Sequence, residues 1–307
     1  MGSTEAASWT RLTEEVAQLA ATFGKRRTDS GVSAGHAGST ADALEARTAE
    51  NLAELTSALG ADYGGSLVRT CALLRIVAGG CAPTAFALAA RLATPGGSDS
   101  AAEGRSGGGG KAARVGDHAE AAVLLGLAER AYALAVADIK ERSAPAERSP
   151  GAQPGAPPPA LLPGTQFAVA RMRAALAATT ALLEHCALTE DTRDTGDTGD
   201  TGDTGNAGGG VRVGVGVGVG QHTTRADSSL PRVQAAAAAE QVVSLAYEQV
   251  RGHGGEAEPS IARIWQDLKT GPRIRVGAHG GHEADTAAEL IGKAAFGIDP
   301  AESPRWL

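Results

Sequence analysis

DHAEAAVLLGLAERAYALAVADIKER, residues 117–142, is the stretch whose reading decides the fold. Val123, Leu124, Leu127, Ala131, Leu134 and Ala135 recur at helical spacing and make one buried stripe. Asp138 interrupts that stripe one turn later, and Ile139 continues it. Alanine and leucine, the strongest helix formers, dominate the segment. It reads as one long helix with its apolar side against a core.

Working outward, the same periodicity recurs on both sides. Upstream, Leu12, Val16, Leu19, Ala20 and Phe23 share a face over 10–23, and Gly24 can close that helix. Residues 25–38 read as a loop, and a second helix begins at Ser39 or Thr40 with Leu44, Leu52, Leu55 and Leu59 inward. A turn at 62–65 leads to a third helix over 66–77, a break at 79–83 and a fourth helix over 84–93. Residues 95–115 are Gly/Ser-rich and read as a flexible linker. Downstream, 143–164 is a Pro/Ala-rich extended loop. A helix over 165–188 follows, with Val169, Met172, Leu176, Leu183 and Cys186 inward.

Residues 189–220 are low in complexity: an Asp-Thr-Gly triplet repeats, then Val and Gly alternate, which reads as a disordered insert. Helices are then expected over 230–251 (Val233, Ala237, Leu245 and Val250 inward), 261–269 and 284–295. The fold class is therefore all-α. An N-terminal helical domain covers 8–94 and a linker 95–115. A C-terminal up-down bundle covers 116–300, with a low-complexity insert at 189–228.

Composition narrows the function. Aromatics are only 3% of the chain, so the core must be built from Ala, Leu and Val, which suits helices better than strands. The net charge is -7 and there is no Lys/Arg stripe, which argues against a nucleic-acid binder. Cys71, Cys81 and Cys186 are odd in number, lack metal-ligand spacing and read as small buried hydrophobes in a reducing compartment. The first 20 residues do not read as a secretory signal, and no apolar run is long enough for a membrane span, so a cytoplasmic location is expected. His279, His282 and Glu283 are separated by glycines and read as loop residues, so no metal site is expected. His185 and Cys186 are adjacent on a helix and point apart, so they do not make a dyad.

Several local motifs, in matching order, resemble the acyl-CoA dehydrogenase family over about residues 9–93 and 116–300. Ala61-Asp62-Tyr63-Gly64-Gly65 is similar to the family's Glu-Tyr-Gly-Gly turn. LRIVAGGCAPTAFALAA, residues 74–90, is similar to its small-residue helix pair. Leu125-Gly126-Leu127-Ala128-Glu129 resembles the first helix of its C-terminal bundle. Gln249-Val250-Arg251-Gly252-His253-Gly254-Gly255 resembles its Gln-x-x-Gly-Gly-x-Gly turn. Arg263-Ile264-Trp265-Gln266-Asp267 resembles the Arg-x-x-Arg-Asp helix that follows. Ile291-Gly292-Lys293 and Gly297-Ile298-Asp299-Pro300 suit the C-terminal end of bacterial members.

The resemblance implies a flavoprotein that oxidises an acyl thioester such as acyl-CoA at its α,β bond. A carboxylate takes the α-proton and FAD accepts the β-hydride. The expected partner is another copy of the chain or an intact homologue, because the family's FAD site often spans subunits. The chain departs from the pattern in two places. The family's middle β-domain, which seats the flavin ring, is replaced by the 95–115 linker. The usual catalytic Glu falls on or near Arg275, and 271–281 holds no carboxylate.

Members with the base at the start of the first bundle helix point instead to Asp117 or Glu120; the favoured reading of Asp117 is a residue that suits the helix dipole. For FAD, the resemblance points to Gln249, Gly252 and Gly254, with Arg142 as a weaker match. Those glycines read either as room for a pyrophosphate or as a helix C-cap. The alternative function is a non-catalytic helical remnant that assembles with an intact homologue.

Overall fold

A computed structural model of the chain describes residues 3–29, 37–59, 66–93, 109–144, 157–196, 222–253 and 255–274. The described residues are all-α. The helices are α1 (Ser3–Asp29), α2 (Ala37–Leu59), α3 (Leu67–Gly80), α4 (Ala82–Ala93), α5 (Gly109–Arg142), α6 (Pro163–Gly196), α7 (His222–Val250) and α8 (Ala257–Ile274). A 3-10 turn, Pro159–Leu161, precedes α6. Among the described residues no helix is long and apolar enough to cross a membrane.

The 117–142 segment is the axis of the molecule. Every residue from 118 to 128 is buried, so α5 is covered on all sides and not on one stripe alone. It packs against α3, α4, α6, α7 and α8, and α7 is its most extensive neighbour. The reason is side-chain size. Ala119, Ala121, Ala122 and Ala128 on α5, with Ala235, Ala238, Ala239 and Ala246 on α7, are buried and small, which lets helices approach closely. One apolar cluster runs from Val16 on α1 through α5 to Leu268 on α8, so the N-terminal helices and the bundle share a core.

Two backbone-to-backbone contacts fix the N-terminal helices. A Cβ on Gly126 would collide with the Arg75 carbonyl and lie 2.9 Å from the Ala78 Cβ, so α3 crosses α5 where only hydrogen fits. A Cβ on Gly24 would lie 2.7 Å from the Gly80 carbonyl oxygen, which sets α1 against the end of α3. Behind this crossing, buried Asn51 Nδ2 donates to Thr84 Oγ1 (3.3 Å), and Thr84 Oγ1 donates to Cys81 Sγ (3.2 Å). That chain satisfies polar groups placed inside the core.

Several boundaries differ from the sequence expectations, in one direction. Helix α5 starts at Gly109, inside the 95–115 segment read as linker, because helix propagation from a strong core costs little per added residue. Helices α6 and α7 enter the 189–228 segment read as insert, reaching Gly196 and starting at His222, with Pro231 inside α7. The 79–83 break narrows to Cys81: α3 continues through Gly80, and Pro83 sits in the first turn of α4, where its missing N–H is harmless. Helix α8 runs to Ile274, so part of the 271–281 loop is helical. The turn at 62–65, the helix expected at 284–295, Arg275, and the 279–283 histidine stretch lie outside the described residues.

Asp191 shows why α6 extends. Its carboxylate accepts from Ser66 Oγ (2.8 Å), Leu67 N (2.7 Å) and Val68 N (3.3 Å), capping the N-terminus of α3 from across the fold. Ser66 itself accepts from Arg69 N (3.4 Å). A carboxylate on free helix N–H groups is favoured by both hydrogen bonding and the helix dipole. Asp191→Ala is expected to lower stability by about 1 kcal/mol, a thermal midpoint drop of a few degrees. Asp191→Asn should recover part of it, and equal midpoints for all three proteins would remove the cap from the account.

Candidate functional site

The crossing of α1, α3, α5 and α8 leaves an open cleft of about 750 Å³. Its walls follow from the close packing just described. Where Gly24, Gly80 and Gly126 let backbones touch, there are no side chains to fill the space beside them. Ala17, Ala20, Ala21, Ala78 and Gly79 complete a floor of small groups.

Charge lines the rim. Arg75, Arg130 and Arg263 supply guanidinium groups, and Glu129, Glu256 and Asp267 supply carboxylates. Arg75 is held in place: its guanidinium pairs with Glu129, with Nε 3.3 Å from Oε2, and lies 3.5 Å from Glu184. Arg130 and Arg263 are exposed. The cleft is thus a trough floored by small groups, with one paired and two exposed guanidinium groups at its edge.

The residues singled out in the sequence sit elsewhere. Asp117 and Glu120, three apart on α5, face α7 together. Arg232 Nη1 is 3.3 Å from Asp117 Oδ1, Arg232 Nε is 3.1 Å from Glu120 Oε2, and Ser229 Oγ donates to Asp117 Oδ2 (2.9 Å). The side chains of Arg232 and Glu120 are 10% and 3% exposed, so the pair is inside the α5–α7 seam. Because α5 begins at Gly109, Asp117 is also more than two turns from the helix N-terminus, and the dipole reading of it does not hold. Neither acid lines the cleft.

Arg142 and Gln249 do meet. Arg142 Nη2 donates to the Gln249 carbonyl (2.9 Å) while its Nε donates to Asp138 Oδ2 (2.7 Å). The guanidinium thereby satisfies a carbonyl at the end of α7 and pins it to α5. Gly252 has φ +79°, the left-handed conformation of a helix terminator, and its N–H donates to Glu258 (3.0 Å). Gly254 lies outside the described residues.

The thiols are quiet. Cys71 and Cys81 are buried and Cys186 is half-buried. Burial pushes the Cys71 thiol up to about 12, with the nearby Asp191 carboxylate adding to the rise and Arg75 opposing it. A thiol that stays protonated is neither nucleophile nor metal ligand at neutral pH.

Sequence reasoning missed Arg232, Asp191 and the Arg75–Glu129 pair. Each acts on a residue more than 50 positions away, and no local pattern marks it. Arg263 and Asp267 were singled out as part of a motif, and both line the cleft. No protein-family model, no curated protein and no solved structure matches this chain.

Two outcomes follow from the buried charges and the thiols. Arg232→Ala strands two carboxylates in the α5–α7 seam and is expected to cost about 3 kcal/mol in urea unfolding. A loss under about 1 kcal/mol would put the pair on the surface class instead. At neutral pH, iodoacetamide should modify Cys186 first, and Cys71 and Cys81 only after denaturation. Rapid labelling of Cys71 in the folded chain would contradict its burial.

Proposed function

We propose that this chain is an acyl-CoA dehydrogenase-like helical protein that acts in assembly with a homologue carrying the β-domain, and does not oxidise an acyl thioester alone. The observation that carries this reading is the engagement of Asp117 and Glu120 by Arg232. A base that takes an α-proton needs a lone pair facing the thioester. Both acids turn their oxygens to a guanidinium inside a helix seam. The residues suggested for FAD have internal duties as well: Arg142 holds the Gln249 carbonyl, and Gly252 N–H is taken by Glu258. Asp117, Glu120, Arg142 and Gly252 are therefore engaged within the fold, which suits a scaffold.

The cleft favours a second reading, stand-alone α,β-dehydrogenation with FAD supplying the hydride acceptor. Its volume of about 750 Å³ is in the range of small-molecule sites. Arg130 and Arg263 at the rim suit phosphate oxygens of an acyl-CoA, and the small-residue floor suits a slender acyl chain.

The visible absorption spectrum of the purified chain with added FAD separates the two. After gel filtration the lone chain is expected to retain no flavin band, and to co-elute with a flavin-loaded full-length acyl-CoA dehydrogenase when the two are mixed. A flavin band that stays with the lone chain and bleaches on addition of acyl-CoA would overturn the assembly reading in favour of the enzyme.

A further inference from the structure

Among the described residues, the two most exposed large apolar side chains lie close together in the chain, at one end of the bundle. Phe167, at the start of α6, is 70% exposed, and Leu161, in the 3-10 turn before it, is 64% exposed, with Leu162 also exposed between them. The turn is firmly held. Pro159 begins it and Pro163 begins α6. Ala160 N donates to Ser143 Oγ (3.0 Å) after the end of α5, and Gln166 Nε2 donates to the Ala160 carbonyl (3.0 Å). The Leu162 carbonyl accepts from Gln166 N (3.1 Å), which joins turn to helix. Yet no residue of the turn is buried. A rigid turn that adds nothing to the core holds its leucine ready for an apolar phase outside the chain.

The charges behind this knob are of one sign. From 157 to 183 the only charged residues are Arg171 and Arg173, both exposed. Along the helix they stand about 6 and 9 Å behind Phe167. At the adjoining ends of α5 and α7 the exposed charges balance, Lys140 and Arg251 against Glu141 and Glu248, while Glu256 at the start of α8 lines the cleft. This end is therefore basic in a chain whose net charge is -7.

We propose that this corner docks on an anionic lipid bilayer, with Leu161, Leu162 and Phe167 entering the interface and Arg171 and Arg173 at the headgroup phosphates. Apolar groups of an interfacial segment sink about 5–10 Å, which matches the spacing between Phe167 and the two arginines. Their guanidinium groups then meet phosphate oxygens as the apolar tip leaves water. A protein interface carries a rim of mixed polar groups. The flank here is arginine alone, which suits a surface of uniform negative charge. The docking is peripheral: among the described residues no helix is long and apolar enough to cross a membrane. None of the five residues lines the cleft, so the docking needs neither flavin nor acyl thioester.

Co-sedimentation of the full chain with vesicles tests this. The chain is expected to sediment with phosphatidylcholine vesicles containing about one-third phosphatidylglycerol, and to be released as salt rises from about 0.05 to about 0.5 M. Leu161→Gln with Phe167→Gln, both at exposed positions, should weaken binding about a hundredfold with unchanged helical circular dichroism. Arg171→Gln with Arg173→Gln, where Gln is a good helix former, should weaken it about thirtyfold. If the first variant misfolds, the second carries the test. A chain that stays in solution with these vesicles overturns the docking, even if the corner captures a protein. Equal sedimentation with pure phosphatidylcholine vesicles overturns it too. Full binding by the folded L161Q/F167Q chain places the contact elsewhere and overturns the assignment to this corner.

Discussion

The close approach of α3 and α7 to α5 is the constraint on which the rest depends. It rests on small residues: Gly126 against the Arg75 backbone on one side, and facing alanines on the other. With only 3% aromatics, the chain has few large side chains to fill wide gaps, so stability must come from short interhelical distances. Every added carbon at such a contact forces helices apart, which is why the glycine and alanine positions are as specific here as leucines are elsewhere.

Several polar groups in this interior are held by partners, although Thr179 Oγ1 is buried without a hydrogen-bond partner. Arg232 lies between two acids, Asp138 and the Gln249 carbonyl share Arg142, and Asn51, Thr84 and Cys81 form a chain. Each of these links ties two helices at one register. Isolated, such charges would cost several kcal/mol in a dry seam; paired, they select one arrangement of Ala-rich surfaces that could otherwise slide. The same economy explains the cleft. Helices that touch at glycines leave a trough beside the contact, and its rim is where charges remain in reach of solvent.

Much of the fold was legible because helix periodicity is local. Most residues of the stripes read at 10–23, 117–142 and 165–188 are buried, with Leu12, Leu19, Leu134, Val169 and Cys186 half-buried, whereas Leu44 on α2 and Ala237 on α7, read as inward, are exposed. Element ends were less legible. Asp191 sits in a stretch whose Asp-Thr-Gly repetition argues for disorder, yet its carboxylate is fixed by three donors near residue 66. Composition describes a segment's own preference and says nothing of a distant helix end that needs an anion. Asp117 and Glu120 show the same limit: their spacing put them on one face, but nothing nearby showed that the face looks at Arg232.

The sequence by itself determined that the described residues are all-α, which of their helices form and which stripe of several of them turns inward, because those properties follow from propensity and a 3.6-residue period within each segment. Only the tertiary structure decided that α5 is buried all round, that the suggested acids are clamped within a helix seam, and that Arg263 and Asp267 share a cleft with α1 and α3. These depend on which helices meet and at what distance, and that is set by packing complementarity among residues far apart in the chain.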